Sequence, residues 1–386
     1  SSASVYVAEY SKTDWILFFT ILAMVCFGLV MVYSSSSVVA GIKFHVSDKY
    51  FLLKQLWWAL FSFVILLWCK RSDYRRWNNP KVAFGGIGTV LFLLLVVYVM
   101  DSSTHRWLHM GAFSVQPSEF AKPALALFLA HFVSGRLGAI NDKHTLFSIA
   151  LSTGAIALFV AVPDFGTAVV LVAMTVMVLF VAGLDYRYLW VTAALGLVLG
   201  LGFIAAKPYR LARSIQVADP QHKLLTKIDP NGHILHYAKN TASTSDPGYQ
   251  QRQAKIAVGS GGVIGVGLME GSQKMLYLPE AHTDFIYAVI GEETGFFGCT
   301  ALLAGFVILL WRGLRLYWYA NDDFGRYLAL AVTVSVAVQA LINISVVLDL
   351  SPNKGIPLPL ISYGGSSLLS TLVLLGMLLS VSEHAG

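Results

Sequence analysis

Ten apolar runs, each long or nearly long enough to cross a bilayer, recur along the 386 residues, at about 15–36, 51–69, 82–100, 119–137, 144–162, 165–183, 187–206, 285–311, 325–347 and 366–383. A spanning helix needs about 20 mostly apolar residues. Backbone polar groups in hydrocarbon have to be satisfied within the segment, which leaves helices or a closed barrel. A barrel would show alternating strands of about 10 residues, whereas these runs are continuously apolar. The expected fold is therefore all-α, a polytopic membrane protein of about ten transmembrane helices. A soluble core is excluded, because only 12% of residues are charged against roughly 25% in soluble domains. The mean hydropathy is +0.67.

The first run, from Trp15 to about Tyr33, is long enough to span by itself, so it is expected to stay as a helix and not to act as a cleaved signal. Cys26, Cys69 and Cys299 fall in runs, where thiols act as inert packing residues; no disulfide or metal site is expected from them. The net charge of +6 reflects loop placement in such a chain, not nucleic-acid binding.

Lysine and arginine set the expected orientation. Lys12 and the loops after runs 2, 4, 6 and 8 hold twelve, among them Arg75, Arg136, Arg312 and Arg315; the short loops on the other side hold six, Lys43, Lys49, Lys54, Arg106, Lys122 and Lys354. The positive-inside rule then puts both termini in the cytoplasm. Residues 207–283 form one large extracytoplasmic loop between the seventh and eighth helices of a single membrane domain. Long loops are exempt from the charge count. The middle of this loop, DPNGHILHYAKNTASTSDPG, reads as irregular. Its second half holds six glycines between Gly259 and Gly271. No strand or βαβ unit surrounds them, so close backbone packing in a re-entrant or surface segment is favoured over ligand contact.

Nearly all the unusual polar residues gather on the external side. Glu119 and Lys122, spaced i, i+3, share a helix face and would pair or line a groove. Arg106 and Trp107 suit an interfacial anchor, or a grip on phosphate or sugar. Asp164, after Pro163, is placed to cap the sixth run. Three prolines in DLSPNKGIPLPLISYGGSS require a protein-lined or re-entrant path. Gly364, Gly365 and Ser366 there open a helix and suit either an anion nest beside Lys354 or a simple capping turn. The run YLPEAHTDFIYAVIGEE brings Glu280, His282, Asp284, Glu292 and Glu293 to the mouth of the eighth span. Taken locally, Asp284 suits an N-cap with Thr283, and His282 a solvated interfacial side chain. Glu292 and Glu293 inside an apolar helix call for a partner, such as an arginine, or a broken helix end.

The runs GLVMVYSSSS, RWLHMGAFSVQPSEFAK, PDFGT, GSQKMLYLPEAHTDFIYAVIGEE and KGIPLPLISYGGSS, in this order, resemble those of the shape, elongation, division and sporulation (SEDS) family. The resemblance spans about 15–383 and weakens between Lys223 and Asp246. The runs GLVMVYSSSS and GSQKMLYLPEAHTDFIYAVIGEE, with Lys354-Gly355, look more like the division branch; Pro357 looks more like the elongation branch. The resemblance implies a ten-helix peptidoglycan glycosyltransferase of the bacterial cytoplasmic (inner) membrane. Its substrate would be lipid II, a disaccharide-peptide on undecaprenyl diphosphate. Its partners would be a class B penicillin-binding protein and other membrane proteins of division or elongation, and no nucleic acid. It puts the essential aspartate at Asp284, with Glu119 and Lys122 in the QPSEFAK motif. One carboxylate acting as general base on an acceptor hydroxyl, with inverting displacement of the lipid diphosphate, fits an oxocarbenium-like transition state. Lys122, Lys354, Arg106, Arg210 and Arg213 are candidate cations for the diphosphate, with a divalent cation (Mg or Mn) as a supplement and no organic cofactor. Asp164, Glu292, Glu293 and His282 would support the site. A lipid II flippase or other transporter, and a non-enzymatic scaffold, remain as alternatives on sequence alone. Charges gathered on one side, and the lack of an internal repeat, weigh against transport.

Overall fold

The computed structural model describes residues 13–101, 104–110, 113–205, 249–272, 274, 278–351 and 355–384. The ten apolar runs each fall on a helix: α1 (Trp15–Lys43), α2 (Tyr50–Arg71), α3 (Pro80–Met100), α4 (Pro117–Ser134), α5 (Lys143–Ala161), α6 (Phe165–Val181), α7 (Tyr186–Ala205), then α9 (Ile286–Tyr319), α10 (Asp323–Val347) and α11 (Gly365–His384). A short helix, α8 (Tyr249–Ser260), precedes α9. Among the described residues, α1, α2, α3, α5, α9, α10 and α11 are long and apolar enough to cross a membrane. The α6 helix is apolar but shorter, and α4 carries Glu119, Lys122 and an internal Pro123. The chain is a multi-pass membrane protein.

Local chemistry sets several ends. Asp14 accepts from Leu17 N–H and caps α1, Asn79 caps α3 ahead of Pro80 at its first turn, and Asp322 caps α10. Carboxylate and carboxamide oxygens satisfy amides that have no partner within a helix. Asp14 also accepts from Arg312 at 2.6 Å, and its N–H donates to Ser382 Oγ at 2.9 Å, so α1, α9 and α11 are tied at one end.

The buried centre carries small and polar residues among its apolar ones, and the rim is bulky and apolar. In α11, 89% of the spanning window is buried, and in α10 67%, against 22–39% in α1, α2, α3, α5 and α9. The buried face of α11 includes Ser366, Ser367, Ser370, Thr371, Gly376, Ser380 and Ser382. Small residues let helices approach closely where lipid supplies no hydrophobic drive. On α2 the buried positions include Gln55, Ala59 and Ser62, while Trp57, Phe61, Val64 and Trp68 are exposed at helical spacing on the lipid face.

A two-stranded antiparallel hairpin that hydropathy did not reveal, β1 (Leu108–Met110) and β2 (Phe113–Val115), joins α3 to α4. The α9 helix breaks at Gly295, which has φ 64° and ψ −160°. The break is closed by the glycine segment. Val266 and Gly267 N–H donate to the Glu292 and Glu293 carbonyls at 3.0 and 3.1 Å, and Phe296 N–H donates to Gly262 O at 3.0 Å. Irregular backbone at this depth has to be satisfied by protein. A Cβ on Gly265 or Gly271 would run into Glu293 backbone or the Glu292 carboxylate. Close packing is therefore what Gly261, Gly265 and Gly271 do.

Candidate active site

Asp284 lies in a turn that ends just before α9. The Glu280 carbonyl accepts from Thr283 N–H at 3.2 Å and Phe285 N–H at 3.3 Å. Phe285, not Asp284, is the N-cap residue of α9, and no side chain caps that end. The capping role suggested by local sequence is thus overturned, because the turn rotates the carboxylate off the helix end. Among the described residues no hydrogen bond or ion pair occupies that carboxylate. The segment 355–364 runs beside it. Ser362 Oγ donates to Thr283 O at 2.6 Å, and Tyr363 N–H to His282 O at 2.9 Å. Ile356, Leu358, Leu360 and Ile361 are buried, so the proline-rich segment is protein-lined. Gly355 passes close to it: a Cβ there would meet Asp284 Oδ2 at 2.5 Å.

Three charged side chains act on Asp284. Burial pushes its carboxyl up to about 7, Arg106 pulls it down, and Glu280 and Asp164 push it further up. A carboxyl half-ionised near neutrality is suited to accept a proton. Asp164 caps α6, accepting from Thr167 N–H at 3.0 Å. Its other oxygen accepts from Gln116 Nε2 at 2.9 Å and faces Arg106 at 3.7 Å. Capping and electrostatic roles coexist in this residue. Arg106 also lies 5.7 Å from the Trp107 ring, and the backbone N–H groups of both donate to Asp101. Its buried Nε has no hydrogen-bond partner among the described residues. A cation with an aromatic neighbour of its own therefore acts on the Asp284 carboxylate.

Glu119 and Lys122 pair at 2.6 Å, both 1% exposed. Lys122 Nζ also donates to Gln339 Oε1 at 2.7 Å, and Gln339 Nε2 donates to Pro357 O at 2.9 Å. The pair supports the loop beside Asp284 from inside the bundle. With its ammonium committed there, Lys122 is a scaffold cation and not an open diphosphate ligand. Ser366 is 2% exposed and accepts the Gln116 N–H at 3.3 Å. Gly364 N–H goes to Gln55 Oε1 at 3.2 Å, and Gly365 packs on the Trp58 ring. The start of α11 is a packing turn, which corrects the anion-nest reading of Ser366.

Glu293 and Glu292 are 1% exposed but belong to the helix break. Glu293 meets Lys274 Nζ at 2.6 Å and Ser34 Oγ at 2.6 Å. Glu292 accepts from Ser272 N–H at 2.8 Å. The expected arginine is a lysine, held from the glycine segment. His282 is buried, 5.0 Å from the Phe51 ring and 5.6 Å from Tyr363; it packs against aromatics and is not the solvated residue expected. Lys354, Arg210 and Arg213 lie outside the described residues.

Sequence reasoning missed Gln339, Asn343, Gln116 and the pairing of Lys274. The signal for the first two was available, as carboxamides four residues apart in an apolar helix that is expected to bury its polar groups. Two apolar hollows lie away from Asp284. One of about 280 Å³ is lined by Val258, Tyr287, Phe296 and Cys299. The other, of about 660 Å³, is a groove between α1 and α9. Among the described residues no three His, Cys, Asp or Glu side chains are gathered to hold a metal ion.

The sequence profile of the FtsW/RodA/SpoVE family, described as "Cell cycle protein", matches residues 14–386. The probable peptidoglycan glycosyltransferase FtsW of Trichlorobacter lovleyi is 37% identical over 385 residues, covering 97% of this chain and 94% of that protein. Stage V sporulation protein E of Bacillus subtilis is 36% identical over 381 residues, covering 97% and 98%. Among solved structures, a chain from work on the structural coordination of polymerization and crosslinking by a peptidoglycan synthase complex superposes with a TM-score of 0.73 at 27% identity, covering 97% and 98%. The rod shape determining protein RodA of Thermus thermophilus superposes with a TM-score of 0.66 at 25% identity, covering 96% and 97%.

Proposed function

The chain belongs to the FtsW/RodA/SpoVE family and is a peptidoglycan glycosyltransferase, and from that premise we propose that Asp284 is the general base that extends glycan strands from lipid II. The observation that carries this reading is the Asp284 carboxyl itself: half-buried, off the helix cap, held near neutrality and set beside Arg106. In the proposed step the acceptor hydroxyl oxygen attacks the anomeric carbon of the donor sugar. The new C–O bond forms as the bond to the diphosphate oxygen breaks, and the leaving diphosphate keeps that electron pair. The hydroxyl proton passes to Asp284, and the single displacement inverts the anomeric centre. Arg106 is the described cation best placed to meet the diphosphate charge, and Trp107 offers a ring face to a sugar. A divalent cation, if bound, would be shared between a carboxylate such as Asp284 and the diphosphate of the substrate, and no step is routed through it.

Asp284 and Arg312 lie at opposite ends of α9, and the lysine and arginine count assigns the Arg312 end to the cytoplasm. The proposed site therefore opens on the outer face of the bacterial cytoplasmic membrane, where a lipid-linked disaccharide is presented. The likeness to a chain of a polymerising and crosslinking synthase complex supports a class B penicillin-binding protein as partner. The FtsW relatives support a role in division.

The test is glycan synthesis from lipid II by purified protein, with and without such a partner. Asp284→Asn keeps the shape of the side chain and removes the base. It is expected to lower the rate by about 10²–10⁴-fold, the usual worth of a general base. A well-folded Asp284→Asn protein that polymerises normally would overturn the reading.

A further inference from the structure

One side chain holds the backbone on both sides of the Asp284 carboxylate. Asn343, on α10, donates from Nδ2 to Asp284 O at 2.8 Å and to Ile356 O at 2.7 Å. It is 1% exposed. A carboxamide nitrogen carries two hydrogens, and both are used here. Turning the amide over would set Oδ1 against two carbonyl oxygens, so its orientation is fixed by its partners. One helical turn earlier, Gln339 donates to Pro357 O. Two carboxamides thus grip consecutive carbonyls of the segment whose Gly355 abuts Asp284 Oδ2. Both stand on a helix that is largely buried, and a rigid element places a group more accurately than a loop does.

We propose that Asn343 is a positioning residue for glycosyl transfer, its carboxamide setting the distance between the Asp284 turn and the Gly355–Pro357 segment and so the direction in which the Asp284 carboxylate points. The proposal rests on Asp284 being the base. Asn343 Oδ1 is buried without a partner among the described residues. Leaving a buried acceptor unsatisfied costs stability, so the residue is a poor choice for packing alone and a good one for bridging two carbonyls. Asp284 is also faced by Arg106 ahead of β1, by Asp164 at the start of α6 and by Glu280 in its own turn. Rotating the carboxylate changes its distance from all three, and with that the pH at which it ionises.

The experiment compares full-length Asn343→Leu, Asn343→Asp, Asn343→Ser and Asp284→Asn with wild type on lipid II, reading kcat, KM, the pH profile and the melting temperature. Asn343→Leu and Asn343→Asp are expected to lose about 100-fold in kcat, the scale of a 1 Å misplacement of a catalytic group. KM should stay within about 2-fold, and the pH midpoint should move. Asn343→Ser keeps one donor and is expected to recover part of kcat; it carries the test if the larger changes fail to fold. Folded Asn343 variants with wild-type kcat and pH midpoint, or with losses confined to KM and melting temperature, overturn the positioning role. An active Asp284→Asn protein removes the base reading itself. An inactive one beside unaffected Asn343 variants removes only the role of Asn343.

Discussion

A methyl group built on Gly355 would lie 2.5 Å from Asp284 Oδ2. That separation is below van der Waals contact, so the carboxylate or the Gly355 segment has to move. The segment is held at Ile356 and Pro357 by Asn343 and Gln339, which leaves the carboxylate as the part that gives way. Gly355→Ala is therefore expected to fold, because its backbone is not in the left-handed region that requires glycine. It should lose about 10²-fold in kcat. Melting temperature and steady-state kinetics on lipid II check both halves; wild-type kcat in Gly355→Ala would show that the carboxylate has room to spare.

The pH dependence follows from the same carboxyl. Burial raises it to about 7 from an ordinary 3.8, and a general base acts in its ionised form. The rate constant kcat/KM should be level above pH 7 and fall about tenfold per pH unit below it, as protonation removes the base. Arg106 is the group that lowers this value, so Arg106→Gln should move the midpoint upward. Stability runs the opposite way. The folded state holds this proton more tightly than the unfolded chain, so the contribution of Asp284 to stability is greatest in acid and is lost as pH rises from about 4 to about 7. Asp284→Asn removes that loss, and at pH 8 it is expected to melt at or above wild type while being inactive. A midpoint near 4, or a less stable Asp284→Asn protein at pH 8, would contradict the environment described for this residue.

Hydropathy made the ten helices legible, because lipid demands long apolar helices whatever their contacts. The Glu119–Lys122 pair was legible too, since i, i+3 spacing already puts both on one face. Asp284 was not. The local pattern Thr-Asp before an apolar run is a cap signal, yet the cap falls on Phe285, because the turn from Glu280 and the grip of Asn343 on the Asp284 carbonyl decide where α9 starts. Nor was the partner of Glu293 legible. Lys274 lies 19 residues upstream in an irregular segment, and only the break of α9 at Gly295 brings the two together. Backbone pairing across that break has no side-chain pattern to announce it, apart from the density of glycine.

Two glycines of that segment separate conformation from contact. Gly262 and Gly265 both have positive φ, 56° and 90°. Nothing lies within 4 Å of a Cβ built on Gly262, whereas one on Gly265 would strike the backbone of Glu293. Asparagine tolerates the left-handed region at modest cost. Gly262→Asn is accordingly expected to stay within about 1 kcal/mol of wild type. Gly265→Asn has to push the segment off the α9 break, strip the Glu292 and Glu293 carbonyls of their donors, and lower the melting temperature markedly. Equal melting temperatures for the two variants would mean that the segment is not seated on α9.

The ion pair beneath that segment makes a sharper energetic prediction. Lys274 and Glu293 meet at 2.6 Å with side chains 1% and 0% exposed, and Ser34 Oγ lies 2.6 Å from the same carboxylate. Two charges taken out of water repay their desolvation chiefly through each other, so removing one strands the other. Lys274→Met or Glu293→Leu alone is expected to cost about 3–5 kcal/mol. Lys274→Met with Glu293→Leu leaves no stranded charge, and an apolar pair of similar volume replacing a buried ion pair is often neutral. The double variant should therefore melt above either single one, with a large favourable coupling in the mutant cycle. Asp284 lies ten residues past Lys274 and two turns before Glu293, so each single variant also loosens the turn that carries the base. Glycan synthesis should fall in the single variants and return with stability in the double. Additive losses in stability would mean that the pair is hydrated and not buried. A double variant that is stable but inactive would mean that its charges serve the reaction directly.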